Sequence, residues 1–162
     1  MHSKNSKPRR LLEKPRIKTL LLAAALLALL PNLAAAVEFR SIAPPKAVLY
    51  DAPSQQGKKL FIISQGSPVE VIVNLREWVK IRDHLGGLSW IPADQLSPKH
   101  TVMVTQARAE IRQTADANAA VGAYVEKNVV LEMLEPPKNG WIKVRHRDGL
   151  VGYILASSVW GY

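Results

Sequence analysis

Two five-residue runs, Trp78-Val79-Lys80-Ile81-Arg82 and Trp141-Ile142-Lys143-Val144-Arg145, hold the residues of this 162-residue chain best suited to chemistry. Each sets one large aromatic and two cations at alternate positions, with β-branched aliphatic residues between them. Alternate side chains of an extended strand share a face. Trp78, Lys80 and Arg82 therefore stand together, opposite Val79 and Ile81, and Trp141, Lys143 and Arg145 stand opposite Ile142 and Val144. An aromatic face supplies stacking and apolar area, and cations beside it orient carboxylates. Such a face suits an extended peptide, a sugar ring or an anionic group. Trp90 and Tyr153 lie one hairpin further along and extend the same groove. A second reading competes with this one: the tryptophans close the open ends of their domains and the cations are solvated edge residues.

Catalysis and metal binding find little to use. Three histidines, His84, His100 and His146, lie beyond residue 36, and none forms a His-x-x-x-His pair or a cluster with acids. The chain has no cysteine, which excludes disulfides, thiolate metal sites and cysteine nucleophiles. No Gly-x-Ser-x-Gly turn is present. Glu70 and Glu132 occupy equivalent strand positions, where a carboxylate serves as a cross-strand partner for Lys or Arg. The expectation is a protein that is not an enzyme and needs no cofactor.

The two runs belong to a longer internal repeat. At an offset of 62, Ala47-Val48-Leu49 falls on Ala109-Glu110-Ile111, and Val69-Glu70-Val71-Ile72 falls on Leu131-Glu132-Met133-Leu134. One residue is added in the turn Pro136-Pro137-Lys138-Asn139-Gly140, so the tryptophans pair at 63. Residues 39–100 and 101–162 form the two copies, each near the lower size limit for a domain without metal or disulfide. Short β-branched runs such as Val69 to Val73 and Val129 to Leu134 read as strands. Asp148-Gly149 signals a two-residue hairpin, and Gly86-Gly87 does the same job less tightly. Ala93 to Leu96 and Ala156 to Val159 read as single helical or 3₁₀ turns. The fold class expected is all-β, two tandem small barrels.

Residues 1–36 read as an export signal. Seven basic residues precede an apolar run from Leu20 to Leu30, and Ala34-Ala35-Ala36 offers a cleavage site after Ala36. The apolar run is shorter than the ~20 residues a bilayer span needs. An uncleaved membrane anchor is the alternative. Arg9-Arg10 hints at the twin-arginine route, but Glu13 interrupts the motif and favours general secretion. The whole chain carries a net charge of +9. Setting aside the seven cations and one acid of residues 1–36 leaves 15 against 12, a net of +3. The basicity is thus largely that of the signal and does not point to nucleic acid. The expected mature protein is periplasmic or secreted, has no membrane span, and consists of domains at 37–100 and 101–162.

Taken in order, these features resemble the bacterial SH3 domain. Ala47-Val48-Leu49-Tyr50-Asp51-Ala52-Pro53-Ser54 is similar to that family's opening segment, with Tyr50 where arginine is frequent. The second copy keeps the arginine as Arg112, while Ala115-Asp116 replaces the Pro-Ser. Both copies have the Trp-x-Lys-x-Arg strand, a glycine turn and a closing aromatic, Trp90 or Tyr153. Gly140 keeps the glycine usual before the tryptophan; Glu77 replaces it in the first copy. The resemblance implies two SH3-like barrels acting as a non-catalytic recognition module, with cell-wall peptide or glycan as partner. The alternative is a structural or assembly protein of the envelope that contacts a protein partner through its Trp faces.

Overall fold

The computed structural model describes residues 37–162; the segment expected to be an export signal, with the cleavage site expected after Ala36, lies outside the described residues. The first half runs β1 (Phe39–Ile42), β2 (Lys46–Tyr50), β3 (Lys59–Ser64), β4 (Pro68–Asn74), β5 (Trp78–Arg82), β6 (Leu88–Pro92), a 3₁₀ turn (Ala93–Gln95) and β7 (Leu96–Ser97). The second half repeats it as β8 (Thr101–Val104), β9 (Arg108–Arg112), β10 (Val121–Glu126), β11 (Val130–Met133), β12 (Trp141–Arg145), β13 (Val151–Leu155), a 3₁₀ turn (Ala156–Ser158) and β14 (Val159–Trp160). The strand orders are β3-β2-β6-β5-β4-β1-β7 and β10-β9-β13-β12-β11-β8-β14, the same order twice, with every pairing antiparallel. No helix among the described residues is long and apolar enough to cross a membrane.

A single sheet must curl on itself to bury an apolar face when no second layer covers it. Both sheets do so. Ile42, Ala47, Leu49, Val69, Val79, Ile81 and Ile91, drawn from five strands, make one core. Their counterparts Val104, Ala109, Ile111, Leu131, Ile142, Val144 and Ile154 sit in the other. Across these seven pairs the second copy gains one methylene at Leu131 and one at Ile142, and loses one at Val104 and one at Val144. The sums cancel, as expected where cores tolerate substitution if volume is kept.

The turn after the Trp strand differs from the two-residue hairpin expected. Asp83 N–H donates to Gly87 O and Gly86 N–H to Asp83 O; His146 N–H donates to Leu150 O and Gly149 N–H to His146 O. Both turns are therefore three-residue loops with a left-handed glycine last, Gly86 at φ 86° and Gly149 at φ 95°. A type I turn followed by a left-handed residue needs its glycine at the third place, where Asp148-Gly149 and Leu85-Gly86 supply it.

The barrels pack against each other. Thr101 Oγ1 donates to Gly66 O at 2.7 Å, and the Phe39 and Trp160 rings meet edge-on with centroids 5.0 Å apart. Gly161 sits so tightly in this seam that a Cβ there would lie 2.7 Å from Pro68 Cβ and 2.8 Å from Thr101 O.

Candidate functional site

Trp78 opens β5, whose alternation buries Val79 and Ile81 completely and leaves Trp78 half-buried on the other face. Two loops wall it in. The β2–β3 loop is folded by Asp51, whose carboxylate accepts the Lys58 N–H at 2.8 Å, and by the Gly57 N–H donating to Ser54 O. The 3₁₀ turn is tied down by Ala93 N–H donating to Glu77 O at 2.9 Å. Between these walls lies a cleft of about 590 Å³ lined by Pro53, Gln55, Gln56, Trp78, Pro92 and Asp94, among others. Arg76, held at φ 71°, completes its rim. An indole and two prolines provide an apolar floor, and two carboxamides with the charged Arg76, Glu77 and Asp94 provide donors and acceptors, the equipment for a peptide or a sugar.

Trp141 stands at the equivalent place, in a smaller cleft of about 320 Å³. It too is lined by charged residues, here Arg108, Glu110 and Arg112, but has no prolines or carboxamides. Arg112, in the position of Tyr50, pairs with Glu110 and donates to Ala119 O at 2.6 Å, bracing the β9–β10 loop. The Arg108 guanidinium lies 3.7 Å from the Tyr124 ring centroid, a cation–π contact. The two clefts thus share an indole and differ in what faces it.

The remaining sequence-derived residues are not all gathered around the tryptophans. Lys80 pairs directly with Trp90 across β5 and β6, its Nζ 5.8 Å from the indole centroid; both belong to the row next to the cleft. Lys143 is opposite Tyr153 in the same way, and bonds Glu135 at 2.7 Å. That hydrogen bond, with the Glu135 charge, holds the Lys143 ammonium above its ordinary range. Arg82 is four residues from Trp78, about 13 Å along a strand, and donates to both Glu70 oxygens at 2.9 and 3.2 Å. Arg145 reaches Glu132 at 3.5 Å. Each of the four cations therefore already has a partner. What the residue pattern missed is the loop wall of Pro53 to Gln56; its signal was the Ala52-Pro53-Ser54-Gln55-Gln56-Gly57 turn beside Tyr50. Among the described residues no group of three His, Asp or Glu side chains converges on a metal position. His146 Nδ1 instead lies 2.9 Å from Asp148 Oδ1.

Two consecutive seven-stranded antiparallel units, each with an indole-walled cleft at the same place, define a tandem of small all-β modules. The bacterial SH3 domain model matches at residues 43–98 and again at 105–161, and the chain belongs to that family. No curated protein matches it. Among solved structures it is similar to NlpC2 and NlpC1 from Trichomonas vaginalis, each 16% identical with a TM-score of 0.36. These alignments cover 76% of this chain and 48% and 45% of those chains. An NlpC/P60 family protein from Bacillus cereus ATCC 10987 is also 16% identical at TM-score 0.36, covering 77% of this chain and 56% of that one. The chain spans about half the length of these structures.

Proposed function

We propose that this protein is an exported, non-catalytic binding module of the cell envelope that recognises cell-wall peptide or glycan through its two Trp clefts. Bacterial SH3 domains are generally non-catalytic modules that bind cell-wall components. The observation that carries the reading is the half-exposed Trp78 indole set between Pro53, Pro92 and the Gln55 and Gln56 carboxamides. Two modest sites on one chain gain by avidity when the ligand repeats. Processing after Ala36 would release the protein to the periplasm or the exterior.

The test is co-sedimentation with purified sacculi. The parent protein sediments, Trp78→Ala and Trp141→Ala each weaken it, and the double variant stays in the supernatant while still unfolding cooperatively from a folded state, at a somewhat lower midpoint because the Tyr50 contact is lost. A folded double variant that sediments like the parent moves the site elsewhere. The second reading, an assembly protein with a protein partner, draws on Phe61 and Ile62 of edge strand β3, which are 64% and 68% exposed. A parent protein that never sediments favours it.

A further inference from the structure

A third cleft among the described residues is larger than either of the Trp clefts. It runs along the seam between the barrels, encloses about 950 Å³, and takes its walls from both halves of the chain. From the first barrel come the β1 end at Ser41 to Ala43 and the turn Gln65-Gly66; from the second come Asn128, Glu132 and the hairpin turn that carries Arg147. Lys99, in the connector, stands between them.

The charges here do not balance. Lys99, Arg145 and Arg147 line the groove against one carboxylate, Glu132. Lys99 Nζ and Arg145 Nη1 both address the same Glu132 oxygen, at 3.1 and 3.5 Å. Arg147 makes no ion pair among the described residues. His146, the other titratable group of the lining, is turned to Asp148 on its own loop. A concave surface between two low-dielectric bodies focuses the field of such an excess. A guanidinium and an ammonium that share one carboxylate oxygen keep further N–H donors with which to form charge-assisted bonds to a second anion.

We infer that the seam groove is an anion-binding site, taking a ligand with two or more carboxylate or phosphate charges through Lys99, Arg147 and Arg145, with Glu132 as the internal counter-charge the ligand displaces. The site is independent of the Trp clefts. It exists only because the barrels pack, since neither half alone supplies both walls.

Backbone NMR titration of the purified protein with succinate and, separately, inorganic pyrophosphate tests it. Saturable shifts centred on the amides of Gly66, Lys99, Asn128 and Arg147 are expected, weakening as salt rises. The better probe of the two identifies the anion class. Lys99→Ser with Arg147→Ser, both at exposed positions, should weaken binding about tenfold or more, the scale of a lost charge-assisted bond. Glu132→Gln should tighten it by roughly the same order by releasing two cations. Trp78→Ala should leave it unchanged, which separates failure here from failure of the sacculus assay. The inference is overturned if neither probe shifts these amides, if the double serine variant binds as well as the parent, or if Glu132→Gln weakens binding.

Discussion

The Tyr50 ring meets the Trp78 indole edge-on, centroids 5.4 Å apart and planes at 89°. Tyr50 ends β2 and Trp78 begins β5, so the contact braces one edge of the indole beside its cleft. Edge-to-face pairs of this kind contribute about 0.5 to 1.5 kcal/mol beyond their area. Tyr50→Leu should therefore cost about 1 kcal/mol in urea unfolding and change the near-ultraviolet dichroism of the folded protein. An unaltered near-ultraviolet spectrum would show that the indole is oriented by its loops alone.

The interior faces of β5 and β12 carry stability and the exterior faces carry little. Ile81 and Val144 are wholly buried. Ile81→Ala and Val144→Ala should each destabilise by about 2 to 4 kcal/mol, the cost of a cavity plus lost transfer energy. Arg82→Ala and Arg145→Ala should cost less than about 1 kcal/mol despite their ion pairs with Glu70 and Glu132, because both guanidiniums are solvent-exposed. Equal costs in the two classes, measured by chemical denaturation, would refute the facing of these strands.

Gly161 is the sharpest probe of the seam. At φ 116°, with Pro68 and Thr101 already against it, alanine there is both strained and overpacked. Gly161→Ala should cost roughly 2 to 4 kcal/mol and abolish the nuclear Overhauser contacts between Phe39 and Trp160. Retention of those contacts at an unchanged midpoint would mean that the seam yields locally.

Asp148 gives one turn an acid limit. The Leu150 N–H bonds its carboxylate at 2.9 Å, and that bond, ahead of the His146 contact, holds the carboxyl below its ordinary range. A carboxyl lowered in the folded state contributes stability that is full above its unfolded pKa and is lost as pH falls through the folded one. Protection of the Leu150 amide against exchange should therefore fall as the pH drops through the acid range in the parent. In Asp148→Asn it should be weaker at neutral pH and insensitive to acid. A parent whose protection stays flat on acidification would contradict the assignment.

Most of the architecture was legible because it depends on local alternation. Val79 and Ile81, or Ile142 and Val144, have one sheet face available to them, and repetition of the phrase doubled the signal. The clefts were less legible. Trp78 is a feature of its strand, but Gln55 and Gln56 become its wall only through a bend fixed by Asp51 and Lys58. The cations were legible as a face and not as ion pairs, since Arg82 meets Glu70 and Arg145 meets Glu132 across neighbouring strands. Glu70 and Glu132 as cross-strand partners followed from the residue pattern; the seam did not, because Gly66, Thr101 and Gly161 carry no periodicity.

The cancelling methylenes have a consequence for how the chain assembles. Tandem copies of one fold are prone to exchange equivalent elements as they fold. If β11 took the place of β4, Leu131 would enter a core fitted to Val69, and the other core would receive Val69 and a void. Exchange of β5 with β12 would swap Val79 for Ile142 and Ile81 for Val144 together, leaving each volume nearly intact but moving a methylene from one end of the strand to the other. The first error carries a mismatch of about 1 to 3 kcal/mol in the overfilled barrel alone. Seven paired core positions of equal summed volume and different contour therefore mark each strand as belonging to its own half, and correct pairing is written into the shapes of residues that never meet solvent.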